Sequence, residues 1–163
     1  MTTDPSIAPI LVLGVGNRLL RDDGVGLCLL ELVQERCGGQ DGVEFVDGGT
    51  QGLALLGLLD GRRAVLVLDA IARGTAPGTI HVIDDPTNDR VPRASTAHES
   101  SVSGLLGVAQ LLGTVPLTFV IMGIEPQVVR TGIGLSDVVS SALSHAADIA
   151  CDRLDKMMAV NHA

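Results

Sequence analysis

A short apolar run that ends in an acidic residue constrains the fold of this chain more than any other stretch. Residues 64–70 read Ala-Val-Leu-Val-Leu-Asp-Ala, so the run is aliphatic up to Asp69. Such a run, rich in Val and Leu, predicts a strand that is buried on both faces of a sheet. In open α/β sheets, ligands bind beyond the carboxyl ends of the strands. Asp69 is therefore either a turn or helix-cap residue or part of a site in that crevice.

The order of apolar segments predicts the fold class. Strands are expected at residues 9–13, 43–46, 64–70, 79–83 and 117–122, and helices near 25–37, 53–59, 96–113 and 136–157. Alternation of strands and helices is typical of a three-layer α/β sandwich. The connection 71–78 is too short for a helical crossover, so we expect strand 79–83 to be antiparallel and near an edge, with His81 pointing to solvent.

We therefore predict a phosphorylase/hydrolase-like α/β fold with a five-stranded, mostly parallel, twisted sheet and one antiparallel strand. The 163 residues are expected to form a single domain, residues 1–163, with its core at about 9–157.

Composition excludes several classes of function. The chain has 11 Lys and Arg against 19 Asp and Glu, a net charge of −8, two Phe and no Trp or Tyr, which disfavours nucleic-acid binding. Its three cysteines show no C-x-x-C spacing, so neither a disulfide framework nor a thiolate zinc site is indicated. Without a basic leader or a membrane-length apolar stretch, we expect a cytoplasmic monomer with no membrane partner.

The first predicted strand runs into Gly14-Val15-Gly16-Asn17. A dinucleotide-binding loop would need a third glycine where Leu19 stands, so that function is disfavoured. The loop instead continues to Asp22-Asp23 at the start of a helix, where adjacent aspartates commonly serve as caps.

Polar residues also follow the other predicted strands. The second strand leads into Asp47-Gly48-Gly49-Thr50, in which the glycines either form a turn or leave backbone groups bare for an extended peptide. The last strand ends at Glu125. His98 follows a long polar loop, next to the capping-box pair Thr96 and Glu99. In a first helical turn the dipole keeps its imidazole neutral, as metal ligation requires.

The residues alone leave two kinds of site open. Carboxylates with one imidazole suit a divalent ion such as Ni, Zn, Mn or Cd. A carboxylate pair also suits acid/base hydrolysis with no metal of its own. The sequence contains no nucleophile elbow, P-loop or His-Glu-x-x-His motif.

Five ordered blocks resemble the nickel–iron hydrogenase maturation endopeptidases. They span about residues 10–155 and are residues 14–26, Asp47-Gly48-Gly49-Thr50, Leu68-Asp69-Ala70, His98, and Gly123-Ile124-Glu125-Pro126. The resemblance implies a peptidase, aspartic-type or metal-assisted, that removes the C-terminal extension of a hydrogenase large-subunit precursor after nickel insertion. A non-enzymatic nickel chaperone on the same fold is the alternative.

The resemblance also implies roles for individual residues. Asp23, Asp69 and His98 are the expected metal ligands, and Asp23 and Asp69 the expected catalytic residues. Substrate binding is expected at Asp47, Gly48, Gly49 and Thr50, whereas Asp22 is assigned to structure. The nickel is expected to come with the substrate, and Zn or Cd are other candidate occupants of the site. Asp23 stands where many members of the family carry Glu.

Overall fold

A computed structural model describes residues 4–87 and 102–160, and these residues form a five-stranded sheet flanked by helices. The strands lie in the order β2-β1-β3-β5-β4. Their bounds are β1 Ile10–Val15, β2 Val43–Gly49, β3 Ala64–Ala70, β4 Ile80–Asp84 and β5 Thr118–Ile124. The helices are α1 Val25–Cys37, α2 Leu56–Leu59, α3 Val102–Leu112 and α4 Asp137–Ala159. Two 3₁₀ turns, Arg21–Gly24 and Gly52–Leu55, precede α1 and α2.

The predicted sheet is confirmed. β2, β1, β3 and β5 pair in parallel, and β4 pairs antiparallel with β5 at the edge. The short connection between β3 and β4 leaves β4 no route to a parallel position. The strand predicted from the aliphatic run has the bounds of β3, and its first five residues are fully buried.

Apolar side chains of the strands alternate between two cores, which makes the fold a three-layer sandwich. One core, between the sheet and helices α1 and α4, includes Val12, Leu66 and Met122. The other includes Leu11, Val65, Val67 and Ile121 together with residues of α2 and α3. Aliphatic side chains supply almost all of both cores, as the scarcity of aromatic residues requires. In the described part of the chain, no helix is both long and apolar enough to cross a membrane.

One expectation about β4 is wrong. His81 does not point to solvent, because its ring is almost fully buried and its Nε2 lies 2.9 Å from Oε2 of Glu125. Alternation along β4 places His81 on the same face as the core residue Ile83. Opposite His81 on β5 is Gly123, which has no side chain. The predicted capping box, Thr96 and Glu99, lies outside the described residues.

Glycines allow α1 to begin directly against the ends of β1 and β3. A methyl group on Gly26 would lie 2.4 Å from the carbonyl oxygens of both Leu68 and Val15, and 2.9 Å from the Cα of Asp69. At Gly16, with φ of 137°, a methyl group would lie 2.1 Å from the carbonyl oxygen of Asp23. The glycines of this region therefore serve close packing of one backbone on another.

Because backbone atoms surround Gly26, we expect Gly26→Ala to destabilise the fold by at least about 3 kcal/mol. Gly107→Ala is the matched control, since Gly107 also lies within a helix and a methyl group there would meet nothing within 4 Å. That control should be neutral or gain up to about 1 kcal/mol. Urea unfolding measures both. Equal stabilities for the two variants would contradict the packing described for Gly26.

Candidate active site

Two acidic residues meet at the carboxyl edge of the sheet. Asp23 lies in the turn Arg21–Gly24 between β1 and α1, and Asp69 lies near the end of β3. The Asp23 Oδ2 accepts a hydrogen bond of 3.0 Å from the backbone N–H of Asn17. The Asp69 Oδ1 accepts one of 2.8 Å from the N–H of Ala70. Both side chains are only partly exposed, so each carboxylate is held in place at the rim of the crevice.

The environment of Asp69 favours its protonated form. Desolvation raises the pKa of Asp69 well above its usual value, and the nearby charge of Asp23 raises it further, while the hydrogen bond from Ala70 acts in the opposite direction. A carboxyl group whose protonated form is favoured by its surroundings is suited to general acid catalysis. The structure thus brings Asp23 and Asp69 together in an arrangement able to transfer protons.

Asp22 has a structural role, as expected. It is fully buried, and its carboxylate accepts four hydrogen bonds of 2.7–2.9 Å from the N–H groups of Gln127, Val128 and Ser136 and from the Ser136 hydroxyl. Burial raises the pKa of Asp22, but these hydrogen bonds outweigh it, and the net shift is downward. The carboxylate therefore fastens the turn that carries Asp23 to the segment between β5 and α4.

Glu125, the acidic residue at the end of β5, is also engaged within the fold. Its carboxylate accepts hydrogen bonds of 2.8–3.0 Å from the backbone N–H groups of Arg73 and Gly74, the hydroxyl of Thr75 and Nε2 of His81. Burial raises its pKa, but the hydrogen bonds lower it by more. Glu125 thus holds the turn after β3 against β4 and β5.

The segment Asp47-Gly48-Gly49-Thr50 lies at the same edge of the sheet, but its glycines are not bare. The Gly49 N–H donates to Oδ1 of Asp47 at 2.9 Å, its carbonyl accepts from Gly16, and the Gly48 carbonyl accepts from Gln51. Two of these bonds are the local bonds of a turn and the third is a tertiary contact, so the turn, the first of the two alternatives, is the one that the backbone adopts. Asp47 and Thr50 are exposed, so substrate binding by this segment stays a prediction.

The predicted metal site is only partly within the described residues. Asp23 and Asp69 are described, whereas His98 lies outside the described ranges. Within those ranges, no group of three or more His, Cys, Asp or Glu residues is able to hold a metal ion. The two carboxylates alone thus leave a metal in need of further ligands, from His98 or from a substrate.

Three contributors to the site were missed from the sequence. Thr75 and His81 position Glu125, and Ser136 positions Asp22. The buried position of His81 could have been found from its two-residue spacing to Ile83. The pairing of Ser136 with Asp22 had no signal, because the two residues are far apart in the chain.

Comparisons with known proteins agree on one family. The sequence model of that family, described as hydrogenase maturation protease, matches residues 28–153. The Hydrogenase 2 maturation protease of Escherichia coli (strain K12) is 33% identical over 144 residues, which cover 85% of this chain and 86% of that protein. The hydrogenase expression/formation protein HoxM of Azotobacter vinelandii is 34% identical over 151 residues, covering 89% and 72%.

The fold of this chain also agrees with a solved structure. The hydrogenase maturating endopeptidase HybD from E. coli superposes with a TM-score of 0.83 at 31% identity, over 91% of this chain and 93% of that one. The likeness covers most of each chain and therefore concerns the whole fold.

We expect Asp22→Asn to cost about 1–3 kcal/mol at pH 7, because either orientation of the amide sets its NH₂ group against an N–H donor. Since the pKa of Asp22 is lowered on folding, its contribution is complete above the unfolded pKa of about 3.9 and is lost as the pH falls through the lower folded value. Urea unfolding from pH 7 toward pH 3 should show the stabilities of wild type and variant converging. Asp152→Asn, an exposed change on α4, should stay within about 0.5 kcal/mol throughout.

Asp69→Asn should have the opposite effect on stability. Because the pKa of Asp69 is raised on folding, ionising it costs stability, and this cost is absent below the unfolded pKa and complete above the folded pKa. The variant removes the cost, so its gain should grow with pH to about 1–3 kcal/mol. Thermal unfolding with a chelator present measures this gain. A variant less stable than wild type at pH 8 would contradict the account.

Proposed function

We propose a substrate and a mechanism for this chain, which belongs to the hydrogenase maturation protease family and is accordingly a peptidase that acts on a protein substrate. The substrate is the precursor of a nickel–iron hydrogenase large subunit, and the reaction removes its C-terminal extension after nickel has been inserted. The single observation that carries the mechanism is the close placement of Asp23 and Asp69 at the carboxyl edge of the sheet, where the charge of Asp23 acts on Asp69.

The two carboxyl groups supply acid/base chemistry for hydrolysis. One, as carboxylate, takes a proton from a water molecule whose oxygen attacks the scissile carbonyl carbon. The other, protonated, supplies a proton to the leaving nitrogen as the C–N bond breaks. We assign the acid to Asp69, because its raised pKa keeps the proton available, and the base to Asp23. The products are a new carboxylate on the large subunit and a released peptide with a free amine.

Nickel in the precursor is the feature that the site recognises. Asp23, Asp69 and His98 would offer the metal a carboxylate, the carbonyl oxygen of a protonated carboxyl group and an imidazole, which leaves room in the coordination sphere for ligands of the precursor itself.

The compartment we propose is the cytoplasm. Cys28, Cys37 and Cys151 are free thiols, as expected in a reducing compartment. Substrate contacts outside the reacting bond are assigned to the exposed Asp47 and Thr50.

We expect this protein to cleave the nickel-loaded precursor and to leave the nickel-free precursor intact. Two carboxylates without a nucleophilic serine or cysteine depend on the substrate's metal to bring the scissile bond into place. Purified protein is mixed with each form of the precursor, and gel mobility of the large subunit measures cleavage. Equal cleavage of both forms would overturn nickel recognition but leave the peptidase activity standing.

Three variants make this assay specific. Asp69→Asn should abolish cleavage while keeping the fold, and Asp152→Asn should cleave like wild type. His98→Ala should weaken nickel binding, measured by calorimetry, with little change in melting temperature. No cleavage of either precursor by a wild-type protein that binds nickel tightly would favour the chaperone alternative.

A further inference from the structure

Three exposed aliphatic side chains lie on the two segments that border the candidate active site. Leu19 is 62% exposed, Val129 43% and Ile133 83%. Leu19 belongs to the loop between β1 and α1, and the other two belong to the segment between β5 and α4. We call these three residues the Leu19 patch. Exposed apolar side chains that cluster near a site commonly mark a surface used for binding.

The backbone that carries the Leu19 patch is firmly connected. Leu20 forms a parallel bridge with Gly132, whose N–H donates to the Leu19 carbonyl at 2.9 Å and whose carbonyl accepts from Arg21 at 3.2 Å. The Arg21 Nε donates to the Gly134 carbonyl at 2.6 Å. Together with the buried carboxylate of Asp22, these bonds fix the two segments relative to each other. A surface held in this way loses little conformational entropy when it binds.

The Leu19 patch is continuous with the reacting groups. The loop that exposes Leu19 also carries Asp23, and the Asn17 side chain accepts a hydrogen bond from the Leu19 N–H while the Asn17 N–H donates to Asp23. Leu19 and Asp23 therefore lie on one connected loop, which a bound polypeptide can contact at both residues. This argues for a protein substrate as the occupant.

The positive charge of Arg130 indicates which chemical groups the expected partner presents. Arg130 lies between Val129 and Ile133, is exposed, and has no ion pair or hydrogen bond among the described residues. Arg130 therefore places a positive charge within an apolar patch on a chain whose net charge is −8. It favours a partner surface that is apolar and carries an acidic group.

We propose that the Leu19 patch, with Arg130, is the docking surface for the folded body of the large-subunit precursor and holds it while the tail reaches Asp23 and Asp69. This inference rests on the proposed function and adds to it the surface that selects the substrate. The partner surface presents aliphatic side chains around a carboxylate.

The test compares two double variants. Leu19→Ser with Ile133→Ser removes the most exposed members of the patch. Leu111→Ser with Leu117→Ser is the control, because Leu111 and Leu117 are 87% and 92% exposed and Leu117 precedes β5 at the opposite end of the sheet from the site. Affinity for the precursor is measured in an Asp69→Asn background, so that no turnover occurs, and KM and kcat are measured with Asp69 intact.

The patch variant should bind the precursor roughly 30- to 100-fold more weakly, which is the effect of exposing two aliphatic contacts. Its KM should rise with kcat within about twofold of wild type. The control variant should match wild type in affinity, KM and kcat, and both should keep their melting temperatures. Arg130→Glu should weaken binding at low salt and lose that effect at high salt.

The possible outcomes distinguish a failure of the docking surface from a failure of the proposed function. Wild-type cleavage with an unchanged KM in the patch variant would overturn the docking surface and leave the proposed function intact. Absence of cleavage by wild type, with precursor affinity still lowered by the patch variant, would overturn the proposed function and support the docking surface. A wild-type dimer that becomes a monomer in the patch variant, with unchanged precursor affinity, would show an interface between copies and overturn the proposal.

Discussion

The buried carboxylate of Asp22 is the interaction on which the candidate site depends. It collects donors from three residues of the segment after β5, and no other carboxylate in the described residues is as fully buried with its hydrogen bonds satisfied. Charged groups are stable inside a protein only when hydrogen bonds replace the lost water. The geometry of the Asp23 turn follows from this requirement, since Asp22 and Asp23 are adjacent and one cannot move without the other.

Asp22 and Asp69 have opposite effects on the stability of the fold. Asp22 is stabilised by folding and Asp69 is destabilised in its ionised form, as the opposite directions of their pKa shifts show. Stability supplied by Asp22 offsets the cost of holding a reactive carboxyl group at Asp69. Glu125 contributes in the same sense as Asp22, on the β4 side of the sheet.

Much of the fold could be predicted, because β3 and its neighbours are buried apolar runs whose signal is local. Asp23 and Asp69 could be proposed because the carboxyl ends of parallel strands converge at one edge. The contacts of His81 and Gly49 could not be predicted, because their partners lie in distant segments of the chain. The hydrogen-bond partner of His81 is Glu125, directly after β5, and the donor to the Gly49 carbonyl is Gly16, in the loop after β1. No local pattern contains such pairs.

The contact at Gly26 also couples the position of α1 to that of β3. With no side chain between them, the first turn of α1 rests on the backbone of Leu68 and Asp69, and packed backbone atoms yield very little. We therefore expect a displacement of the loop before α1 to move β3, the strand that carries Asp69, instead of being absorbed by flexible side chains. A partner that presses on the outside of this loop would, by the same contact, shift the position of Asp69.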